Sequence, residues 1–129
     1  MNFAYTIVYV ADVAASLDFY ERAFGLQRRF LHESGAYGEL DTGATALAFV
    51  DHATAHDSVG GDYVAAEDSL RPLGMEIGFT TADVGAAYER ALAAGAVPLK
   101  APTLKPWGQT VAYVRCPDGS LVELCTPMG

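Results

Sequence analysis

The sequence predicts an α+β fold built from two tandem βαβββ modules. Hydrophobic spacing changes from strand-like alternation to helical periodicity and back, and this order then repeats. The segments "ADVAASLDFYERAFG" and "ADVGAAYERALAAG" mark the repeated helix, since both begin with Ala-Asp and both contain Tyr-Glu-Arg-Ala. With 129 residues, 51% of them hydrophobic, the chain is long enough to form one folded domain with a core.

Module one spans about residues 1–51. Its first strand is "FAYTIVYV", residues 3–10, which is rich in aromatic and β-branched side chains. Asp12 is the expected N-cap of an amphipathic helix that Gly25 ends. Three further strands are expected at about residues 27–34, 36–41 and 45–51, because "SG" and "DTG" supply turns between them.

Residues 52–74 separate the modules and are polar and Gly-rich. They predict a linker with about one helical turn, and a candidate mouth or lid for a binding site. His52 and His56 are spaced by four, so they could bind a metal together only if this segment is helical. The surrounding Thr, Asp, Ser and Gly residues favour a solvated loop instead.

Module two spans about residues 75–129 and repeats the order of module one. A strand at residues 75–81 is followed by a helix that Asp83 caps and Gly95 ends. We then expect a short strand at residues 96–99, a loop "KAPTLKPWG" punctuated by prolines, and a strand at residues 109–115. The turn "PDG" leads to a final strand, "LVELC".

Charge and cysteine content limit the function classes. The chain has 8 Lys and Arg against 16 Asp and Glu, a net charge of -8, which argues against a surface for nucleic acid or anionic membrane because phosphates are repelled. The amino-terminal segment lacks the basic region of a signal peptide, so a cytoplasmic protein is expected. Cys116 and Cys125 are poorly placed to face one another and are expected to be reduced packing thiols.

Glu123 is the most informative residue of the final strand, because a carboxylate there lies between Val122 and Leu124. A buried carboxylate needs a partner or a function. Arg115 across the hairpin could neutralise it, or the strand could be an exposed edge. Alternatively, Glu123 could belong to a binding site, and the strand alone leaves these readings open.

The segments "VADVAASLDFYERAFGL" and "PWGQTVAYVRCPDGSLVELCTP" resemble the vicinal oxygen chelate superfamily. This superfamily includes glyoxalase I, extradiol dioxygenases and bleomycin-resistance proteins. The resemblance covers nearly the whole chain except residues 52–74. It implies two βαβββ modules whose curved mixed sheets enclose a cavity, usually completed by a homodimer.

The resemblance also implies four cavity positions that supply metal ligands in metal-using relatives. In this sequence those positions match Tyr5, Leu47, Glu76 and Glu123. Only two of these positions, Glu76 and Glu123, hold a carboxylate, and none holds a histidine. A typical glyoxalase metal site is therefore not expected. No particular cofactor is predicted. A divalent ion such as Mg²⁺ or Mn²⁺ on Glu76 and Glu123 stays open, as does their use as an acid/base pair.

Two other residues are candidates for ligand contact. Trp107 lies in a proline-rich loop and could form a wall of the pocket or only cap the core. Gln109 could offer its amide to a ligand or be an ordinary exposed residue at a strand start.

Two functions follow from the resemblance. The first is a bleomycin-resistance-like dimer that binds a small, cationic and aromatic molecule in a pocket formed by Tyr5, Leu47, Glu76, Trp107, Gln109 and Glu123. The second is a metal-dependent lyase, similar to lactoylglutathione lyase, or a dioxygenase, with Glu76 and Glu123 as its metal ligands or catalytic groups.

Overall fold

The computed structural model describes residues 1–128 and confirms the α+β fold, with two four-stranded mixed sheets and three α-helices. The chain divides into two compact units, residues 1–65 and a second unit that starts at Ala66. The elements are β1 (Tyr5–Val10), α1 (Val13–Phe24), β2 (Gln27–Leu31), β3 (Tyr37–Asp41), β4 (Ala46–Asp51), α2 (His52–Val59), a 3₁₀ helix (Ala66–Asp68), β5 (Glu76–Thr80), α3 (Val84–Ala94), β6 (Val97–Leu104), β7 (Thr110–Arg115) and β8 (Leu121–Cys125).

The first unit orders its strands β1-β4-β3-β2, with β1 parallel to β4 and the other neighbours antiparallel. Helix α1 begins as predicted, because Asp12 accepts a hydrogen bond from the amide of Ala15 at 3.0 Å. The helix packs on one face of the sheet through Leu17 and Tyr20, both fully buried. The Tyr20 ring contacts Phe49 of β4, with ring centres 4.9 Å apart. This packing forms the core of the first unit.

The second unit repeats this architecture with the strand order β5-β8-β7-β6. Asp83 caps α3 by accepting a hydrogen bond from the amide of Ala86 at 3.0 Å. Helix α3 packs against β6, β7 and β8, and buries Tyr88 and Ala91. Each sheet therefore has one face covered by its long helix. We call the opposite face of each sheet its open face.

Strand register shows that the repeat extends to single positions. Tyr5 pairs with Ala46 in the first sheet, and Glu76 pairs with Leu121 at the same place in the second. Register also shifts between Arg28 and Phe30 in β2, and between Pro98 and Lys100 in β6. A β-bulge therefore occurs at the same point of both modules.

Two expectations about irregular segments are wrong. Residues 52–59 form α2, a regular helix, because Asp51 caps it by accepting from the amide of Thr54 at 2.9 Å and Gly60 ends it. The segment expected to be a loop after residue 99 continues β6 to Leu104 despite Pro98 and Pro102. Prolines are tolerated there because β6 is the edge strand of its sheet.

Two other features concern the cysteines and the helices. Within the described residues neither Cys116 nor Cys125 forms a disulfide, and both are buried, as expected. No helix of residues 1–128 is long and apolar enough to cross a bilayer.

Candidate functional site

The open face of the second sheet brings together two of the predicted site residues, Glu76 and Glu123. Neighbouring residues of a strand point to opposite faces, so Val122 and Leu124, which are buried, lie on the helix side and Glu123 lies on the open face. Glu123 pairs with Gly78 of β5, two residues beyond Glu76 in the same strand. The two carboxyl groups are therefore diagonal neighbours on adjacent strands.

Tyr113 and Gly78 position the Glu123 side chain. The hydroxyl of Tyr113 in β7 donates a hydrogen bond to Glu123 Oε1 at 3.3 Å. A Cβ atom built on Gly78 would lie 3.6 Å from Glu123 Oε2, so the carboxylate lies directly over this glycine. The absence of a side chain at Gly78 leaves the space between the two glutamates open.

The carboxyl groups influence one another electrostatically. Partial burial raises the pKa of Glu76, and the charge of Glu123 and a hydrogen bond to it raise that pKa further. Burial also raises the pKa of Tyr113 and of Cys125, and the two glutamates add to both shifts. The open face of the second unit is thus a region of negative potential.

No cation of the described residues offsets this charge. Arg115, the partner considered from the sequence, instead donates to the backbone oxygens of Ala66 and Ser69 at 2.9 Å and of Gly119 at 3.3 Å. The ion pairs found within residues 1–128 involve neither Glu76 nor Glu123. The arginine therefore anchors the 3₁₀ segment to the β7–β8 turn and leaves the glutamate pair uncompensated.

The first unit places different residues at the corresponding positions. Tyr5 occupies the place of Glu76, on the open face, and its side chain is 55% exposed. The place of Glu123 is taken by Ala48, since it pairs with Ile7 on one side and Glu39 on the other. Leu47, which the resemblance suggested for this place, is the preceding residue, so it lies on the helix side and is 5% exposed.

Sequence reasoning missed the polar cluster of the first unit. Glu39 is 7% exposed and accepts a hydrogen bond from the Tyr37 hydroxyl at 2.5 Å. Arg29 lies 3.5 Å from Glu39 and 3.2 Å from Asp41, so it forms an ion pair with each. The pattern that singled out Glu123, a carboxylate between apolar or small neighbours, also occurs in "YGEL" and could have identified Glu39.

Trp107 and Gln109 lie together near the start of β7. The Trp107 indole nitrogen donates to Gln109 Oε1 at 2.7 Å, and Gln109 Nε2 donates to the Thr126 backbone oxygen at 2.8 Å. Trp107 is 63% exposed, so it does not cap the core. The Gln109 amide is already used within the unit, and it fixes the tryptophan ring.

The described residues contain no group of three or more His, Cys, Asp or Glu side chains placed to hold a metal ion. Glu76 and Glu123 remain the carboxylates that the structure brings together from the predicted set. A hard ion bound there would keep most of its ligands from water or from substrate.

A family model for the Glyoxalase/Bleomycin resistance protein/Dioxygenase superfamily matches residues 2–124. The chain belongs to this superfamily. This match confirms the resemblance found in the sequence. No curated protein sequence matches the chain.

Solved structures of the superfamily share the fold. A "glyoxalase-related enzyme" from Fulvimarina pelagi is 25% identical, with a TM-score of 0.82 over 98% of this chain and 88% of that one. A "glyoxalase/bleomycin resistance protein/dioxygenase family enzyme" from Burkholderia phytofirmans PsJN is 22% identical, with a TM-score of 0.82 and 98% of each chain covered. A "glyoxalase/ bleomycin resistance protein/ dioxygenase" from Nocardioides is 19% identical, with a TM-score of 0.77 over 99% of this chain and 84% of that one.

Proposed function

We propose that this superfamily member binds a small molecule that carries a cationic group, with the Glu76–Glu123 pair as the site for the charge. The observation that supports this proposal most directly is the difference between the two units. In the first unit Glu39 is compensated by Arg29, whereas Glu76 and Glu123 have no ion-pair partner among the described residues.

An organic cation suits this site better than an anion or a neutral polar group. Burial and the charge of Glu123 raise the pKa of Glu76, and a positive charge placed beside the two carboxyl groups would stabilise their ionised forms. Hydrogen bonds between charged partners are about twice as strong as neutral ones. An ammonium or amidinium group would therefore gain both charge compensation and hydrogen bonds.

An exposed aromatic side chain of the second unit supports an aromatic ligand. Trp107 in the β6–β7 loop presents its ring to solvent. The bond to Gln109 holds the indole of Trp107 in one orientation, which reduces the entropy lost when a ligand stacks on it. Aromatic rings also attract cations through their faces.

A melting-temperature screen tests this proposal. Aromatic amines and amidines should raise the melting temperature of the wild-type protein, while their neutral analogues should not, because only a ligand of the native state stabilises it. Glu76→Gln and Glu123→Gln should each reduce the shift. Glu89→Gln, on the exposed side of α3, should leave it unchanged. Equal shifts for charged and neutral analogues would contradict the proposal.

A second candidate function is a metal-dependent lyase or dioxygenase in which Glu76 and Glu123 hold the ion. It is favoured by the convergence of the two carboxyl groups on one face beside Tyr113, whose hydroxyl donates a hydrogen bond to Glu123. Melting curves with chelator and then with Mg²⁺, Mn²⁺, Fe²⁺, Co²⁺, Ni²⁺ or Zn²⁺ test it. A rise that Glu123→Gln abolishes would support this function, and a rise that the variant retains would exclude this pair as its cause.

We further propose that the chain forms a homodimer. Tyr5 and Ile7 on the open face of β1 are exposed, as is Phe3 just before it, so an apolar surface is present. Light scattering of the purified protein should give twice the chain mass of 13.7 kDa. A mass of one chain at micromolar concentration would contradict this part of the proposal.

A further inference from the structure

Helix α2 places two histidines on one side of the first unit. Its eight residues run from His52 to Val59, with Asp51 as N-cap. Residues four apart on an α-helix lie one above the other, so His52 and His56 are neighbours. Their ring centres are 6.5 Å apart. These histidines could bind a metal together only if their segment is helical, and the structure shows that it is.

The hydrogen bond of His56 determines its tautomer. Its Nδ1 atom lies 3.1 Å from the backbone oxygen of Gly61. A carbonyl oxygen only accepts, so Nδ1 must carry the hydrogen, and in the neutral ring Nε2 then carries the lone pair. Histidines that bind metals commonly have this arrangement, with one ring nitrogen donating to a backbone carbonyl and the other facing the ion.

Tyr63 contacts both imidazole rings. Its hydroxyl lies 2.6 Å from Nδ1 of His52, while its ring is stacked on that of His56 with ring centres 4.3 Å apart and planes 20° apart. Tyr9 of β1 supports the other side, with its ring centre 4.9 Å from that of Tyr63. Both histidines thus have Nδ1 in a hydrogen bond. For His52, the neutral tautomer in which Nδ1 donates to the Tyr63 hydroxyl places the lone pair on Nε2.

We propose that His52 and His56 form a binding site for a divalent transition-metal ion, which they ligate through their Nε2 atoms. Metal–nitrogen bonds are about 2.0–2.1 Å long. The two rings must therefore move slightly closer, by side-chain rotation, for one ion to bind both Nε2 atoms. Asp62, whose carboxylate lies 3.7 Å from His56 Nδ1, adds negative charge beside the site. This site is separate from Glu76 and Glu123 and does not depend on the proposed function.

Ligand chemistry defines which ions it takes. Imidazole nitrogen suits Cu²⁺, Ni²⁺ and Zn²⁺, and the usual order of affinities places Cu²⁺ first. The described residues supply no third His, Cys, Asp or Glu in a metal-binding arrangement, so water molecules must complete the coordination shell. Mg²⁺ and Ca²⁺, which prefer oxygen ligands, should not compete.

Calorimetric titration of the full chain with Cu²⁺ tests this site. One ion should bind per chain, and His52→Ala and His56→Ala should each weaken its affinity at least tenfold. His32→Ala is the control, because His32 lies in the turn after β2, where its Nδ1 atom contacts the Ser34 hydroxyl, and it should keep wild-type affinity. Absence of wild-type binding, or unchanged affinity in both α2 variants, would overturn the proposal.

A spacing variant separates a two-histidine site from binding by single surface histidines. His56→Ala combined with Asp57→His keeps the number of histidines but moves the second one about 100° around the helix. The affinity should remain as low as in His56→Ala alone. Recovery of wild-type affinity would show that any nearby histidine suffices. Melting curves without metal establish that each variant is folded.

Discussion

The Tyr113 hydroxyl donates to Glu123 at 3.3 Å, whereas in the first unit the Tyr37 hydroxyl donates to Glu39 at 2.5 Å. The two bonds differ in surroundings as well as in length. Glu39 is buried and paired with Arg29, but Glu123 is half-buried and has no ion-pair partner among the described residues. The first unit therefore compensates its buried carboxylate with Arg29, whereas Glu123 lacks such compensation among the described residues.

The two tyrosine bonds should contribute unequally to stability. Tyr37→Phe leaves a buried carboxylate oxygen without its donor, which costs about 1–3 kcal/mol. Tyr113→Phe should lower the free energy of unfolding less, by about 0.5–1.5 kcal/mol, because water can replace the lost donor. Urea denaturation of both variants measures this difference. A larger loss in Tyr113→Phe would contradict this expectation.

Leu47 should behave as a core residue and not as a ligand contact. Leu47→Ala removes a buried side chain from the helix side of β4 and should lower the free energy of unfolding by about 2–5 kcal/mol. Ile7→Ala, a truncation on the exposed open face of the adjacent strand, should cost clearly less. Urea denaturation compares the two variants. Equal losses of unfolding free energy would contradict the assignment of Leu47 to the core.

Glu76 should make stability depend on pH. Its pKa in the folded chain is raised above the ordinary value of 4.5, so the folded state holds the proton more tightly than the unfolded state. The stabilisation is fully present below pH 4.5 and is lost as pH rises through the higher pKa of the folded state. Glu76→Gln removes this dependence, so its stability relative to wild type should increase as pH rises above 4.5. Chemical denaturation at several pH values measures it, and a constant difference would contradict the raised pKa.

Gly119 should be sensitive to substitution because two backbones meet there. A Cβ atom on Gly119 would lie within 2.4 Å of the Ala66 carbonyl group and the Glu67 nitrogen. Gly43 has a similar φ, +92° against +90°, but no atom within 4 Å of its Cβ position. Both alanine variants meet the cost of a positive φ, about 1–3 kcal/mol. Gly119→Ala should cost a further 1–3 kcal/mol or so from overpacking. Thermal unfolding compares the two, and equal melting temperatures would refute the close approach.

Most of the fold could be predicted from the sequence because its signals are local. Asp12 and Asp83 cap the helices, and the repeated string Tyr-Glu-Arg-Ala identifies the two modules. Helix α2 was missed because its polar composition resembles a loop and its stability depends on caps at Asp51 and Gly60. The length of β6 was missed because prolines normally break strands, and edge position cannot be read from a single strand.

The candidate site could be predicted only in part. Glu76 and Glu123 were found because carboxylates interrupt apolar strands and because they match family positions. Leu47 was chosen in place of Ala48 because a difference of one residue depends on strand register, which pairing fixes and the hydrophobic run "ALAFV" does not. The pairing of Arg29 with Glu39 depends on the bulge in β2, and no local sequence pattern predicts that bulge.

The most direct test of the account compares two ligands that differ only in charge. An aromatic quaternary ammonium compound and its neutral carbon isostere are titrated by calorimetry into the wild-type protein and the Glu76→Gln, Glu123→Gln double variant. The account predicts that the wild type binds the cation at least tenfold more tightly than the isostere and that the double variant loses this preference. Equal wild-type affinities, or a preference that survives in the double variant, would contradict a cation site at these two glutamates.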